Sequence, residues 1–523
     1  MRRVLWLPLL LLVGCDGCGS RKADELPPAS VLPKNDELVF DLPTTALVDI
    51  EARFAPLVKA IITEPQRKQL GDELTMALGF DPTTAVGLSS AGLDLNGRWA
   101  GSFRDDEVLL AVPTQDLATA KETVADALER RFGTAVPLDG GMVRFDRSFG
   151  PETIEAAALG QRGRLLLVAF GERASARVGQ ARSLAAADGA AGLLPGGSDD
   201  LLRVRTPDPK RLAERTLDSL PPAATAGLDR EKVDLVLASV RRSALDLRWV
   251  DDGLRLSAES AFEGAEAIDP YVEPIGPVPP ALSTLVSEEA IISLRLALGP
   301  DAIFDALLPP NSPGRQAIDK ARAEGKLRLD FEQDVLPLLS GHLGIALGAS
   351  DLREVPFRQI VGDPLSVSWM GIGVGTKEGA DLMAPFAAQM AADSRVKVKT
   401  RTVGERQVSS FLLGETRVVE AAETSRALLF GTDQAVMDRV LTAEAKARTA
   451  VPFELSLRFD PLEEVARSFP GSKLPLVFRG LWARTLDGIA ALQSLEARVV
   501  READTVQLTI DLSLNEAEAT KDP

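Results

Sequence analysis

His342 is the only histidine in the chain, within Leu338-Leu339-Ser340-Gly341-His342-Leu343-Gly344. A lone histidine can act as a general base or change charge near neutral pH. Both cysteines, Cys15 and Cys18, lie close to the N-terminus. The body therefore lacks a Cys–His pair and any zinc site built on several histidines. A Ser–His–Asp triad would have to use His342, and no Gly-x-Ser-x-Gly elbow accompanies it. His342 follows Gly341 as Leu93 follows Gly92 in a matching stretch described below, so a histidine is not required there and a structural role is expected. Gly371-Ile372-Gly373-Val374-Gly375 hints at a phosphate loop, but it lacks the lysine and the GxGxxG spacing. Glycines inside an alternating strand more often mark a bulge or close packing.

Carboxylates offer the remaining chemistry. Asp105-Asp106, Asp199-Asp200 and Asp251-Asp252 could attract calcium, yet none matches the EF-hand loop, and paired acids in turns read as solvated turn residues. Two carboxylates could serve a glycosidase. The sequence cannot select two from 76 acids, and five Trp with one Tyr supply few surfaces for sugar stacking. Cys15 and Cys18 are spaced as CxxC but lack the βαβ context of a redox site. No catalytic, metal or cofactor-binding residue emerges.

The N-terminus is more informative. Met1-Arg2-Arg3 is basic, Val4 to Val13 is almost wholly apolar, and Gly14 precedes Cys15. These are the three parts of a secretory signal. The apolar run is about half the roughly 20 residues that a spanning helix needs. Leu12-Val13-Gly14-Cys15 resembles the lipobox of bacterial lipoproteins. That resemblance implies cleavage before Cys15, lipidation of Cys15, and a body held outside the cytoplasm on the inner or outer membrane. One acyl chain binds a bilayer only marginally, whereas two or more hold a protein stably.

Composition narrows the partners. A net charge of −17 with interspersed basic residues and 5% aromatics argues against nucleic acid, which is bound by clustered Lys and Arg. An acidic body is also repelled by anionic lipid, so membrane attachment falls to the lipid. With 45% hydrophobic residues, the chain can bury a large core without disulfides beyond Cys18.

An internal repeat organises the body. Asp81, Val86 and Gly92 recur as Asp330, Val335 and Gly341, each 249 positions on. Val108-Leu109-Leu110-Ala111-Val112, Thr114 and a helix from Gln115 to Arg131 recur as Met370 to Val374, Thr376 and a helix from about Lys377 to Ala392. Arg164-Leu165-Leu166-Leu167 recurs as Arg426-Ala427-Leu428-Leu429. Leu202 to Arg205, before Asp208-Pro209, recurs as Leu455 to Arg458, before Asp460-Pro461. Each half closes on an alternating hairpin: Leu245–Val250 with Leu254–Glu259, and Leu495–Val500 with Val506–Asp511.

The expected fold is α+β: two similar halves from an internal duplication, each a largely antiparallel sheet with helices on one face. The expected divisions are a signal peptide over 1–14, lipidated Cys15 and a flexible tether over 15–28, and a first repeat over 29–262. A proline-rich connector over 263–280, a second repeat over 281–514 and a frayed tail over 515–523 follow. The layout is similar to uncharacterised duplicated proteins of the bacterial envelope, a resemblance that implies no activity. The expected function is non-catalytic binding or scaffolding with an envelope protein partner. The alternative is a carboxylate-based hydrolase or metal-dependent enzyme.

Overall fold

The computed structural model describes residues 26–515 except 56, 59–61, 150–151, 195–199, 220–229, 252, 265–267, 270–276, 286–289, 302–303, 305–311, 326–329, 350–367, 392–395, 414–416, 443–450, 470 and 475. The signal peptide, Cys15, most of the tether and nearly all of the tail lie outside the described residues. Two compact units divide the rest, the first taking residues up to 221 with 237–263, the second 222–236 with 264–516.

Alternating stretches such as Leu245 to Val250 and Leu495 to Val500 become strands. The first unit contains β1 (Leu38–Pro43), β2 (Arg98–Arg104), β3 (Glu107–Pro113), β4 (Ala135–Leu138), β5 (Met142–Phe149), β6 (Glu152–Arg162), β7 (Leu165–Phe170), β8 (Asp200–Thr206), β9 (Val240–Val250) and β10 (Gly253–Phe262). Every pairing within it is antiparallel, and the order is β4-β5-β6-β7-β3-β2-β1-β8-β9-β10.

The second unit contains β11 (Ile292–Ala297), β12 (Leu339–Ala349), β13 (Ser368–Thr376), β14 (Val396–Val403), β15 (Arg406–Leu413), β16 (Arg417–Glu423), β17 (Ala427–Gly431), β18 (Phe453–Arg458), β19 (Leu492–Glu502) and β20 (Thr505–Leu514). Its order is β14-β15-β16-β17-β13-β12-β11-β18-β19-β20, again antiparallel. Strand for strand, this is the order of the first unit.

Register agrees as well as order. Leu109 faces Ala169 and Ala169 faces Ala158 in the first unit; Gly371 faces Gly431 and Gly431 faces Glu420 in the second. All three strands have moved along the chain by 262 residues (109 to 371, 169 to 431, 158 to 420). Thr114 N donates to Arg164 O, and Thr376 N to Arg426 O, at the same shift. At a shift of 252, Ser30 N donates to Pro27 O as Leu282 N does to Pro279 O, and Glu263 N to Ser239 O as Asn515 N does to Ala491 O.

Helices cover both faces of each sheet, not one as the alternation suggested. In β7, Leu165, Leu167 and Ala169 face a core closed by the helix Ala174–Ser183 and the turn Pro28–Val31. Leu166 and Val168 face the opposite core, closed by the helix Leu117–Phe132. A strand buried on both faces is apolar at every position instead of alternating, and Leu165 to Ala169 is such a run. In β17, Ala427 and Leu429 meet the helices Pro280–Leu285 and Gln434–Thr442, while Leu428 and Phe430 meet the segment 335–338 and Met383.

Other expected boundaries also move. Pro28 is buried within the first folded unit, and Val278 and Leu282 within a core of the second. The Pro-Pro-Ala steps at 27–29 and 279–281 thus lead into residues packed within the two units. The helix expected from Lys377 begins at Met383, because Gly379 takes φ +81° and Glu423 accepts from the Leu382 and Met383 amides at 3.0 Å. The acidic segment after Asp330 forms one wide turn, Phe331–Val335, then a 3-10 turn with Pro337 near its start. Its counterpart Ala85–Ser90 is an α-helix capped by Thr84.

Candidate functional site

His342 lies in β12 opposite Ala297 of β11 and is 3% exposed. Arg295, two residues before Ala297, points to the same side of the sheet. Directly opposite Arg295 on β18 stands Glu454, and the two pair at 3.2 Å. Arg295, His342 and Glu454 line one small cavity with Val278 and Leu282, about 10 Å³ in volume. That is room for one water molecule and for no substrate. The cluster sits under the helix Pro280–Leu285, and a Cβ on Gly375 would meet His342 Cβ at 2.8 Å.

Strand pairing also resets what His342 corresponds to. Leu93 bridges Thr114, and in the second unit Leu339 pairs with Thr376. Thr44 N donates to Gly97 O, as Leu298 N does to Gly341 O. The residue after Gly97 is Arg98, so His342 takes the ladder position of Arg98 and not that of Leu93. Arg98 belongs to a buried cluster of its own: its Nε donates to Asp41 at 3.0 Å, and Arg203 Nε donates to the same carboxylate at 2.7 Å. Asp41 and Arg203 face one another across β1 and β8.

The glycines of β13 are packing residues in this geometry. A Cβ on Gly371 would lie 2.5 Å from Leu285 Cδ1, and on Gly373 2.2 Å from Leu282 Cδ2. The acid pair Asp105-Asp106 is likewise engaged. Asp105 and Asp106 form the two-residue turn between β2 and β3 at φ +50° and +65°. Asp105 pairs with Arg211, and Asp106 with Arg215 at 2.6 Å. Glu37, buried nearby, receives Arg211 at 2.9 Å and Arg215 at 2.8 Å, which fastens the helix Pro209–Ser219 to that hairpin. Asp199 and Asp252 lie outside the described residues. Among the described residues there is no cluster of three or more potential metal ligands.

Sequence reasoning did not find one surface feature. An open groove of about 410 Å³ is lined by Arg467, Phe469, Arg479, Trp482 and Leu486. Phe469 and Trp482 meet edge to face at 6.0 Å. Arg467 pairs with Glu463 at 2.5 Å, and Arg479 donates to the Ser472 and Leu474 carbonyls. The only signal in the sequence was two aromatics in an aromatic-poor chain. Neither the groove nor the cavity beside His342 is lined by two carboxylates.

No family model matches the chain, and no curated protein matches it. Among solved structures, TP0453 in crystal form IV is similar at 9% identity and a TM-score of 0.26, over 48% of this chain and 86% of that one. Crystal form III of TP0453 gives 10% identity and a TM-score of 0.26, over 49% and 90%. At that level the likeness assigns neither fold nor function.

Proposed function

We propose that this chain is a lipid-anchored, extracytoplasmic protein of the bacterial envelope, built by duplication of one α+β unit, whose role is to bind or scaffold a partner and not to catalyse. The observation that carries the anchor is Leu12-Val13-Gly14-Cys15 behind a basic, apolar leader. The first buried residue with assigned structure, Pro28, follows 13 positions later. A fully extended chain reaches about 3.5 Å per residue, so a lipid on Cys15 would hold the body within roughly 45 Å of the bilayer. No described helix is long and apolar enough to cross a membrane.

The duplication is supported by the shared strand order and by registers that coincide at one shift over three strands. The non-catalytic reading is supported by the engagement of the charged clusters in ion pairs that hold strands and helices together. For the anchor, Cys15→Ser should move the protein from the membrane fraction to a soluble extracytoplasmic one and abolish incorporation of labelled fatty acid. Unchanged partition with an intact leader would defeat the assignment.

A further inference from the structure

Both sheets carry an ion pair on the same rung, buried in the first and partly buried in the second, with opposite polarity. In the first, Asp41 of β1 faces Arg203 of β8; in the second, Arg295 of β11 faces Glu454 of β18. The rungs correspond by backbone bonding. Asp41 lies three residues before Thr44, whose amide meets Gly97 O, and Arg295 lies three before Leu298, whose amide meets Gly341 O. The third member differs in step: Arg98 follows Gly97, and His342 follows Gly341.

We propose that the reversed polarity keeps each central strand from closing on the other unit's sheet. β1 and β11 are the strands at risk, because each pairs with a partner far along the chain. β18 begins 156 positions after β11 ends (297 to 453), whereas β8 ends only 86 positions before β11 begins (206 to 292). A shorter loop closes at lower entropic cost, so chain connectivity favours the wrong partner for β11. Backbone hydrogen bonding does not discriminate, since all four strands pair antiparallel and offer the same donors and acceptors. Misassembly between neighbouring similar domains is a characteristic failure of such proteins.

Charge supplies the discrimination. Pairing β11 with β8 in the common register sets Arg295 against Arg203, and pairing β1 with β18 sets Asp41 against Glu454. Like charges directly opposite on a sheet are destabilising. Here the native side chains are 7–8% exposed in the first pair and 11–30% in the second, where repulsion is little screened. The inference rests on the likeness of the two sheets and not on the membrane attachment proposed above. It would survive failure of the Cys15 experiment, which reads membrane partition alone.

The test uses the full chain, unfolded in urea and refolded by dilution, with native monomer measured by size exclusion. One variant carries Arg295→Asp, His342→Arg and Glu454→Arg, which gives both sheets the residues of the first. A second variant adds Asp41→Arg, Arg98→His and Arg203→Glu, which restores opposite polarity by exchanging the two sets. Native monomer should fall about threefold or more in the first variant, with strand-exchanged oligomers in its place, and return to the wild-type yield in the second. The monomer that the first variant does form should have a urea midpoint no lower than that of the second variant, which carries the same three changes. Wild-type yield from the first variant overturns the proposal. So does equal loss in both variants, or a first-variant monomer whose midpoint falls below that of the second variant, since each would give the pairs a purely local role.

Discussion

Gly373→Ala is the sharpest test of the claim that the glycines of β13 exist for packing. The new methyl would lie 2.2 Å from Leu282 Cδ2 and 3.0 Å from Leu429 Cδ2. Carbon atoms rest at about 3.5–4.0 Å, so Leu282 must retreat by roughly 1.5 Å. It has little room to do so, being 1% exposed and adjoining Leu285 at 0%, with only the water-sized cavity beside Arg295 next to it. Overpacking of this kind costs about 1–3 kcal/mol, and a clash this deep belongs at the upper end. Losing the freedom of a glycine in the unfolded chain returns only about 0.4–1 kcal/mol, so a net loss near 2 kcal/mol is expected. For a unit of this size that lowers Tm by roughly 4–8 °C. Leu282→Ala alone should cost about 2–5 kcal/mol through its cavity. In the double variant the added methyl enters the vacated space, so the combined loss should undershoot the sum by about 1 kcal/mol or more. Urea unfolding followed by tryptophan fluorescence reads both, because buried Trp369 belongs to the same core. Strict additivity, or a single variant within about 0.5 kcal/mol of wild type, would refute the packing account.

Asp41→Ala leaves two guanidiniums without their carboxylate and should cost about 3–5 kcal/mol, whereas Asp41→Leu with both Arg98→Met and Arg203→Met, which removes every charge of the cluster, should be far milder; equal losses in calorimetry would contradict this. Asp106→Gly relieves a left-handed residue in a two-residue hairpin turn at the expense of one exposed ion pair, so stability should hold or rise by about 0.5–1 kcal/mol. Asp116 caps the helix Leu117–Phe132, and hydrogen bonds from the Thr119 hydroxyl and amide, then from the Ala118 amide, hold its carboxyl below the usual 3.8. A depressed folded-state pKa stabilises above the unfolded value and is lost as pH falls through the folded one. The Tm gap between wild type and Asp116→Ala should therefore shrink below about pH 4, and a gap that persists to pH 2 would exclude the charge as its source. His342→Leu should fold and reach normal abundance, with a stability loss within the ordinary 0.5–3 kcal/mol; loss of an envelope phenotype at normal abundance would reopen the catalytic question.

Much of the fold was legible where side chains alternate. The closing hairpins were visible because Leu245 to Val250 and Leu495 to Val500 show one apolar face each, and the 262-residue shift was readable from Arg164 and Arg426. Helices on both faces were half-written in Leu165 to Ala169, an unbroken apolar run that a one-sided sheet does not need. What was hidden depends on contacts distant in sequence. Glu423 sets the start of the helix at Met383 from 40 residues away. Asp330 to Val335 resembles Asp81 to Val86 in composition, but Pro337 cuts its turn short. The ion-pair rungs were invisible for a different reason: reversed polarity erases similarity at the positions that correspond, so matching by residue type set His342 beside Leu93 when the ladder sets it beside Arg98.

The place of β1 has a mechanical consequence. It is the first strand among the described residues, yet it is held by β2 along six positions on one edge and by β8 along three on the other. Tension entering through the N-terminal end therefore reaches a strand gripped from both sides. An outermost strand can be peeled from its neighbour one hydrogen bond at a time, whereas β1 must tear free of two neighbours and pull the Asp41 carboxylate from two guanidiniums. A body tethered at that end would meet drag or a moving partner with an interior strand and not with an edge.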